Sequence, residues 1–334
     1  MKRLFLTFMA LAFILAINAQ QLKFNKNGEF KILQFTDAHF VINNPKSDVV
    51  FKCIDELVKS EQPDLVVFTG DNIYSAPAAK TMQTLLDFVS KENVPFVMIF
   101  GNHDEQFDCT HAQLYDMMTS TKNNIQPARN GVESPDYILS IKSNDGKRDA
   151  ATLYCLDSHS MSKLPGEEGY AWLTFDQVEW YRQQNKRIKA ANGGENIPAL
   201  AFFHIPVREF NEAATNEDAI LIGTRMEKAC SPDLNTGMFT AMREGGDVMG
   251  IFCGHDHDND YATMYHGILL AYGRFTGGNT EYNHLRNGGR VIILKEGKRT
   301  FDTYIHVRGG NILNRATYPT SFVKDDWQKR PDQE

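Results

Sequence analysis

The chain has 334 residues, enough for one large α/β domain or two small ones with a sizeable core. With 42% hydrophobic and 23% charged residues, and no repeat, heptad or low-complexity tract, it reads as an ordinary globular protein. A formal net charge of −7 without any basic cluster argues against nonspecific nucleic-acid binding, and it means that only a local positive centre could attract an anionic substrate.

Lys2 and Arg3 precede an almost wholly apolar run, residues 4–17, and small Ala19 then leads into Gln20 and Gln21. Residues 1–19 are therefore expected to be a secretory signal peptide, too short and wrongly flanked for a membrane span. The expectation is an exported protein, periplasmic or secreted after cleavage, with no stable membrane anchor. Five cysteines follow without a CxxC pair. Cys53, Cys155 and Cys253 sit in apolar runs and read as small core residues, whereas Cys109 and Cys230 fall in loops and leave a disulfide between them open.

Residues 22–34 read as a hairpin turning at Asn27-Gly28, whose second arm begins the first core strand, residues 30–35. That strand runs into Thr36-Asp37-Ala38-His39. Ser47-Asp48 caps an amphipathic helix to about residue 60, with Val50, Phe51, Ile54, Leu57 and Val58 on one face. The valine-rich run 65–68 is a buried strand ending in Thr69-Gly70-Asp71-Asn72. A second helix spans about 77–92, and a third strand, 94–100, ends in Gly101-Asn102-His103-Asp104-Glu105. This β-α-β-α-β order demands right-handed crossovers between parallel strands, so all three turns leave the same sheet edge. Open α/β sheets bind their ligands there.

Residues 106–150 are less regular, apart from a strand at 137–141; a second strand follows at 151–156. A helix at 174–190 precedes the strand 197–203, which ends in His204-Ile205-Pro206. A polar excursion, 208–234, and a short helix, 239–243, lead to the strand 248–253, which ends in Gly254-His255-Asp256-His257-Asp258. Three strand-like runs, 261–265, 290–294 and 301–307, complete a single domain over residues 22–320, with a polar tail at 321–334.

The strand ends thus deliver Asp37, His39, Asp71, Asn102, His103, His204, His255 and His257. Oxygen and imidazole donors without thiolate suit Zn, Mn, Fe or Co rather than Ca. A carboxylate such as Asp71 can bridge two ions, and about seven or eight donors suffice for two ions plus water and substrate. Each piece alone is a common turn; five of them in this order, each after an apolar strand, are not.

In that order the pieces Asp37-x-His39, Gly70-Asp71, Gly101-Asn102-His103-Asp104, His204 and Gly254-His255-x-His257 resemble the calcineurin-like metallophosphoesterases, over roughly residues 30–260. Phe68-Thr69-Gly70-Asp71-Asn72, Phe203-His204-Ile205-Pro206 and Gly254-His255-Asp256-His257-Asp258-Asn259-Asp260-Tyr261 are similar to its short, single-domain branch related to purple acid phosphatases. The resemblance implies a four-layer α/β/β/α sandwich, the metallophosphoesterase fold. It implies two divalent or mixed-valence transition-metal ions (Fe, Zn or Mn). Asp37, His39 and His257 would hold the first, Asn102, His204 and His255 the second, and Asp71 both. His103 would stay off the metals and face the leaving group, oriented by Asp104.

One departure is Tyr74, where many members of the family carry Asp. Tyr74 is either an added ligand or a bystander, and the imidazole of His39 already at that ion favours the bystander. The implied chemistry is in-line attack on phosphorus by a metal-bridging hydroxide, with His103 as general acid. The substrate is then a small phosphorylated molecule, and a phosphate monoester is favoured over a diester or a nucleotide pyrophosphate. A noncatalytic phosphate-binding protein is disfavoured because no expected ligand is missing. Candidate walls of the cleft are Asn72, the loop 158–169, Arg208 and Arg274, the two arginines being able to hold a second phosphate-borne charge.

Overall fold

A computed structural model describes residues 21–278 and 280–324. The signal-peptide segment 1–19 and tail residues 325–334 lie outside the described residues. Among the described residues thirteen strands form two sheets. β2 (Leu65–Thr69) and β3 (Phe96–Ile99) are almost continuously apolar because both faces of their sheet are covered, and β1 (Glu29–Phe35) is buried throughout its second half, Ile32 to Phe35. They lie side by side and parallel, as the β-α-β-α-β order requires. Antiparallel β11 (Gly288–Lys295), β12 (Phe301–Val307) and β13 (Asn311–Tyr318) extend that sheet, in the order β13-β12-β11-β1-β2-β3.

The second sheet is built around four parallel strands: β5 (Asp149–Cys155), β6 (Ala199–Phe202), β8 (Val248–Cys253) and β10 (Ile268–Tyr272). β4 (Tyr137–Lys142) closes one edge, and β9 (Ala262–Tyr265) with the two-residue β7 (Leu221–Ile222) closes the other. Strand periodicity divides the apolar side chains between two cores. Leu200 and Phe202 of β6 face the first sheet, in a core that also holds Val50, Ile54 and Leu57 of α1 (Val49–Glu61) and Leu85 of α2 (Ala78–Val89). Ala199 and Ala201 join the other core, with Tyr181 of α4 (Phe175–Ala191), Phe210 of α5 (Glu209–Ala214) and Met242 of α6 (Met238–Gly245). The result is the α/β/β/α sandwich, with helices outside and the two sheets face to face.

Five local expectations differ. The opening arm does not form the first strand of a hairpin; Phe24 N–H donates to the Lys142 carbonyl at 3.0 Å and Lys142 N–H to that of Leu22 at 2.9 Å, clipping the arm to β4. A helix, α3 (His111–Thr119), occupies part of the stretch read as irregular, and its capping box of Thr110 and Gln113 was visible as T-x-x-Q. β10 was missed because the tight turn at His266-Gly267 hides the strand boundary, both residues having positive φ (44° and 82°). The sequence reading has no strand at β13, an edge strand whose exposure alternates along its length. Phe322, in the expected tail, is buried in a short 3-10 turn. All five thiols are free, Cys230 exposed and Cys109 half-buried, so no disulfide joins them.

Candidate metal centre

The carboxyl edges of both sheets meet at one seam. β1 leads into Asp37 and His39, β2 into Asp71, β3 into Asn102 and His103, β6 into His204, and β8 into His255 and His257. The seam is bonded across the sheets. Gln34, fully buried, donates through Nε2 to Thr69 Oγ1 at 2.9 Å and to the Cys253 carbonyl at 3.0 Å. The carboxylate of Asp37 accepts the backbone N–H of His255 at 3.1 and 3.0 Å. Four donor residues carry left-handed backbone: Asp37 (φ 52°), His39 (42°), Asp71 (51°) and His255 (82°). Non-glycine residues avoid that region, and its concentration here means that surrounding bonds hold the chain in a turn aiming the side chains inward.

Two groups result, each with its donor atoms within 4.8 Å of one another: Asp37, His39 and His257, and Asp71, His204 and His255. All six residues are buried. Asp71 Oδ2 lies 3.4 Å from His39 Nε2 and 3.1 Å from His204 Nε2, and so stands between the groups. Asn102 joins the second through its Oδ1, 3.2 Å from His204 Nε2. The tautomers are set from behind. His204 Nδ1–H donates to the Thr69 carbonyl at 2.8 Å and His257 Nδ1–H to that of Tyr282 at 2.9 Å, leaving each Nε2 lone pair turned inward.

The residues fit a pair of cations. Both nitrogens of His39 and Nε2 of His255 are buried without a hydrogen-bond partner, and His255 Nδ1 faces His204 Nε2 at 3.2 Å. Buried polar atoms are otherwise paired, so a converging set of orphans marks a place for an ion. Protons alone satisfy the cluster poorly. Burial opposes the charge of Asp71, yet His204 and His39 beside it hold its carboxyl well below the usual range. Burial likewise opposes the charge of His204, but Asp71 pushes it up to about 10, while burial and the neighbouring His204 drive His255 well down. An imidazole and carboxylate set without thiolate suits a borderline transition metal.

His103 stands at the rim, its side chain 27% exposed and its Nε2 3.9 Å from Asp71 Oδ2. Asp104 does not orient it. The buried Asp104 carboxylate accepts from Gly101 N–H (2.8 Å), Asn72 N–H (2.9 Å), Asn72 Nδ2 (3.0 Å) and Ile73 N–H (3.1 Å), stitching the turn after β3 to the turn after β2. Burial, and then the Asp71 charge, push Asp104 up to about 6 despite those donors. Gln106, which the motif reading missed, is the partner of His103: its Oε1 lies 2.8 Å from Nδ1. A side-chain amide three residues after the histidine was the available signal.

The proposed cleft walls need correction. Asn72 is fully buried and donates to the Ile99 carbonyl at 2.9 Å as well as to Asp104, so it braces the turns and does not face a substrate. Arg274 is 4% exposed, paired with Asp260 and donating to the Arg286 carbonyl; it cannot hold a second phosphate. Arg208 is exposed and donates to the Asp233 carbonyl. Tyr74 packs edge-on against His39 (5.1 Å between ring centroids) and His103 (4.8 Å), which places it beside the first group.

Two glycines are required by close approach. At Gly70, φ is +95° and a Cβ would lie 2.5 Å from His204 Nδ1. At Gly254 a Cβ would collide with Thr36 Oγ1 and Asp37 Oδ2. The strand ends can close on one another only where no side chain intervenes.

Fold and site together define a dinuclear phosphoesterase of the two-sheet type. The family model described as "Calcineurin-like phosphoesterase" matches residues 30–259, and the chain belongs to that family, a metal-dependent class acting on phosphorylated substrates. It is related to purple acid phosphatase-like proteins: it is 32% identical to "Probable inactive purple acid phosphatase 29" of Arabidopsis thaliana over 88% of this chain and 88% of the relative. It is 31% identical to "Phosphatase DCR2" of Saccharomyces cerevisiae over 87% of this chain and 56% of the relative. Its fold is that of a dimetal phosphatase from Danio rerio, with a TM-score of 0.58 at 15% identity over 86% of this chain and 98% of the other. Purple acid phosphatase PPD1 from yellow lupin shares it as well, with a TM-score of 0.55 at 12% identity over 87% of this chain and 54% of the other.

Gly254→Ala would drive a methyl group into the Asp37 carboxylate. It is expected to fold but to lose at least one metal equivalent, read by metal analysis of the purified protein; retention of two full equivalents would overturn this account of the seam.

Proposed function

We propose that the protein is an exported phosphomonoesterase whose centre takes two transition-metal ions, drawn from Fe, Zn and Mn. The observation that carries this reading is the single oxygen of Asp71 placed 3.4 Å from His39 Nε2 and 3.1 Å from His204 Nε2, between two complete donor groups. Asp37, His39 and His257 would hold one ion, Asn102, His204 and His255 the other, with Asp71 shared. When bound, such a pair neutralises phosphoryl oxygens and acidifies the water that attacks phosphorus.

The chain's own residues do the rest. Asn102 contributes an uncharged amide oxygen, which limits the anionic charge facing the phosphate. Gln106 Oε1 accepts from His103 Nδ1–H and fixes the ring, so that Nε2 can carry the proton delivered to the departing oxygen. The tight seam, with Gly70 and Gly254 against His204 and Asp37, holds the donors before any ligand arrives. Because Arg274 is committed to Asp260, the cationic arm expected for a second phosphate is missing from that position, which weighs against a nucleotide pyrophosphate. Three plant relatives carry "inactive" in their names. This chain keeps all seven donors and His103, which supports catalysis over a binding role alone.

Export is supported by the charge and apolar pattern of residues 1–19. N-terminal sequencing of the exported fraction is expected to begin near Gln20; an intact Met1 on protein retained inside the cell would refute it.

Metal-loaded protein is expected to turn over p-nitrophenyl phosphate with a kcat/KM at least about tenfold above that for bis-p-nitrophenyl phosphate. The reverse order would establish a diesterase. His103→Ala should keep both metals and lose about 10²–10⁴ in kcat on alkyl phosphates, with a smaller loss on p-nitrophenyl phosphate, whose leaving group needs little protonation. Equal losses on both esters would remove His103 from the role of general acid.

A further inference from the structure

Residues 160–171 form a narrow flap, closed by Ser162 N–H donating to the Gly169 carbonyl (2.8 Å) and Ala171 N–H to that of Ser160 (2.9 Å). Its inner side touches the metal centre. Tyr170 stands edge-on against His255 at 4.5 Å between ring centroids, and Ser160 Oγ–H donates to the Asn102 carbonyl at 3.2 Å. Along the flap and its root, Met161, Leu164 and Trp172 line a cavity of about 570 Å³. The turn that carries Asn102 and His103 reaches the same cavity through Glu105, and residues 132–134 close the far wall.

The volume is that of a small-molecule site. Val132, Met161 and Leu164 are 52%, 48% and 51% exposed, three large apolar side chains left in solvent around one opening. His111, also in the lining, is 6% exposed and stacked on Phe100 at 4.1 Å, and its Nε2 has no hydrogen-bond partner. Its Nδ1 lies 3.9 Å from Glu105 Oε2 and 4.0 Å from Asp157 Oδ2. Glu105, Glu133 and Asp157 give the lining three carboxyl groups against one lysine, Lys163. Among the described residues no third group of three donors closes to within 4.8 Å.

We infer that this cavity receives the alcohol portion of the substrate and selects one that is both apolar and cationic. The inference rests on the phosphomonoesterase reading for the chemistry, but not for the binding. A phosphate held at the two donor groups would extend its ester past the Asn102 turn toward Glu105 and Trp172. An ammonium there meets the carboxylates of Glu105, Glu133 and the buried Asp157, and the indole of Trp172, and both kinds of group favour cations. The phosphate end and the alcohol end of the substrate would thus be recognised by opposite charges on the two sides of one flap.

The test compares tyramine phosphate with 4-carboxyphenyl phosphate, aryl esters with leaving groups of similar acidity and opposite charge at the far end. The wild type is expected to favour tyramine phosphate by about tenfold or more in kcat/KM. The double variant Glu105→Gln/Glu133→Gln should bring that ratio close to one, and Trp172→Ala should lower it separately. A ratio near one in the wild type, or one unchanged in both variants, overturns the inference and leaves the phosphomonoesterase reading intact. Tyramine alone, titrated into metal-loaded protein by calorimetry, supplies an arm independent of turnover. Binding that weakens about tenfold in the double variant supports the cavity even if no ester is hydrolysed, an outcome that would instead refute the phosphomonoesterase. No binding of tyramine to the wild type refutes the cavity.

Discussion

Two carboxylates, Asp37 and Asp71, are buried where the edges of two sheets meet, and the rest of the structure is arranged to make that burial tolerable. Neither keeps contact with bulk water; both are about 1% exposed. An unpaired buried carboxylate is strongly unfavourable. Asp37 is offset by the His255 N–H and by Thr36 Oγ1 at 2.7 Å, and Asp71 by His39, His204 and the His103 N–H at 2.8 Å. The remaining charge is what a pair of cations would neutralise. The centre is therefore also a fastening between the sheets, since each donor group takes residues from both.

The two-sheet architecture follows from what a seam of this kind needs. A single parallel sheet delivers three turns to one edge, which provides Asp37, His39, Asp71 and Asn102. The imidazoles of His204, His255 and His257 must come from a second edge facing the first. Gln34 bridges the sheets within the core just behind the site, which ties the register of β1 to that of β2 and β8. Small errors in that register would move donor atoms by ångströms, and metal coordination does not tolerate this. The left-handed backbone at Asp37, His39, Asp71 and His255 is the local expression of the same constraint.

The flap of residues 160–171 and the excursion after β6 serve the centre from outside. Asp256, between two donor histidines, accepts from Tyr272 Oη at 2.6 Å and from Cys230 N–H at 3.1 Å, which pins that excursion to the site. Glu227 in the same excursion accepts from the Asp258 N–H at 2.8 Å and from Tyr282 Oη at 3.1 Å, and the Tyr282 ring stacks on His257 at 4.4 Å. A polar stretch that reads as a surface loop is thus a support for the donor residues, because its carboxylate reaches groups far away in sequence.

By itself the sequence determined which side chains could do chemistry and that they would share one edge: apolar runs dictate buried strands, the β-α-β-α-β order dictates parallel neighbours, and each donor sits one to four residues past a strand. Periodicity and local order suffice for that, because strand direction and crossover handedness are local properties. Only the tertiary structure decided what the remaining polar residues do. Asp104 and Asn72 look like site residues and prove to be braces, Arg274 looks like a phosphate arm and is spent on Asp260, and Gln106 looks unremarkable and holds His103. Hydrogen-bond partners are chosen by distance in space, and for these side chains the deciding groups lie on turns of other strands or across a bend of the chain, where no sequence pattern records which way a side chain points.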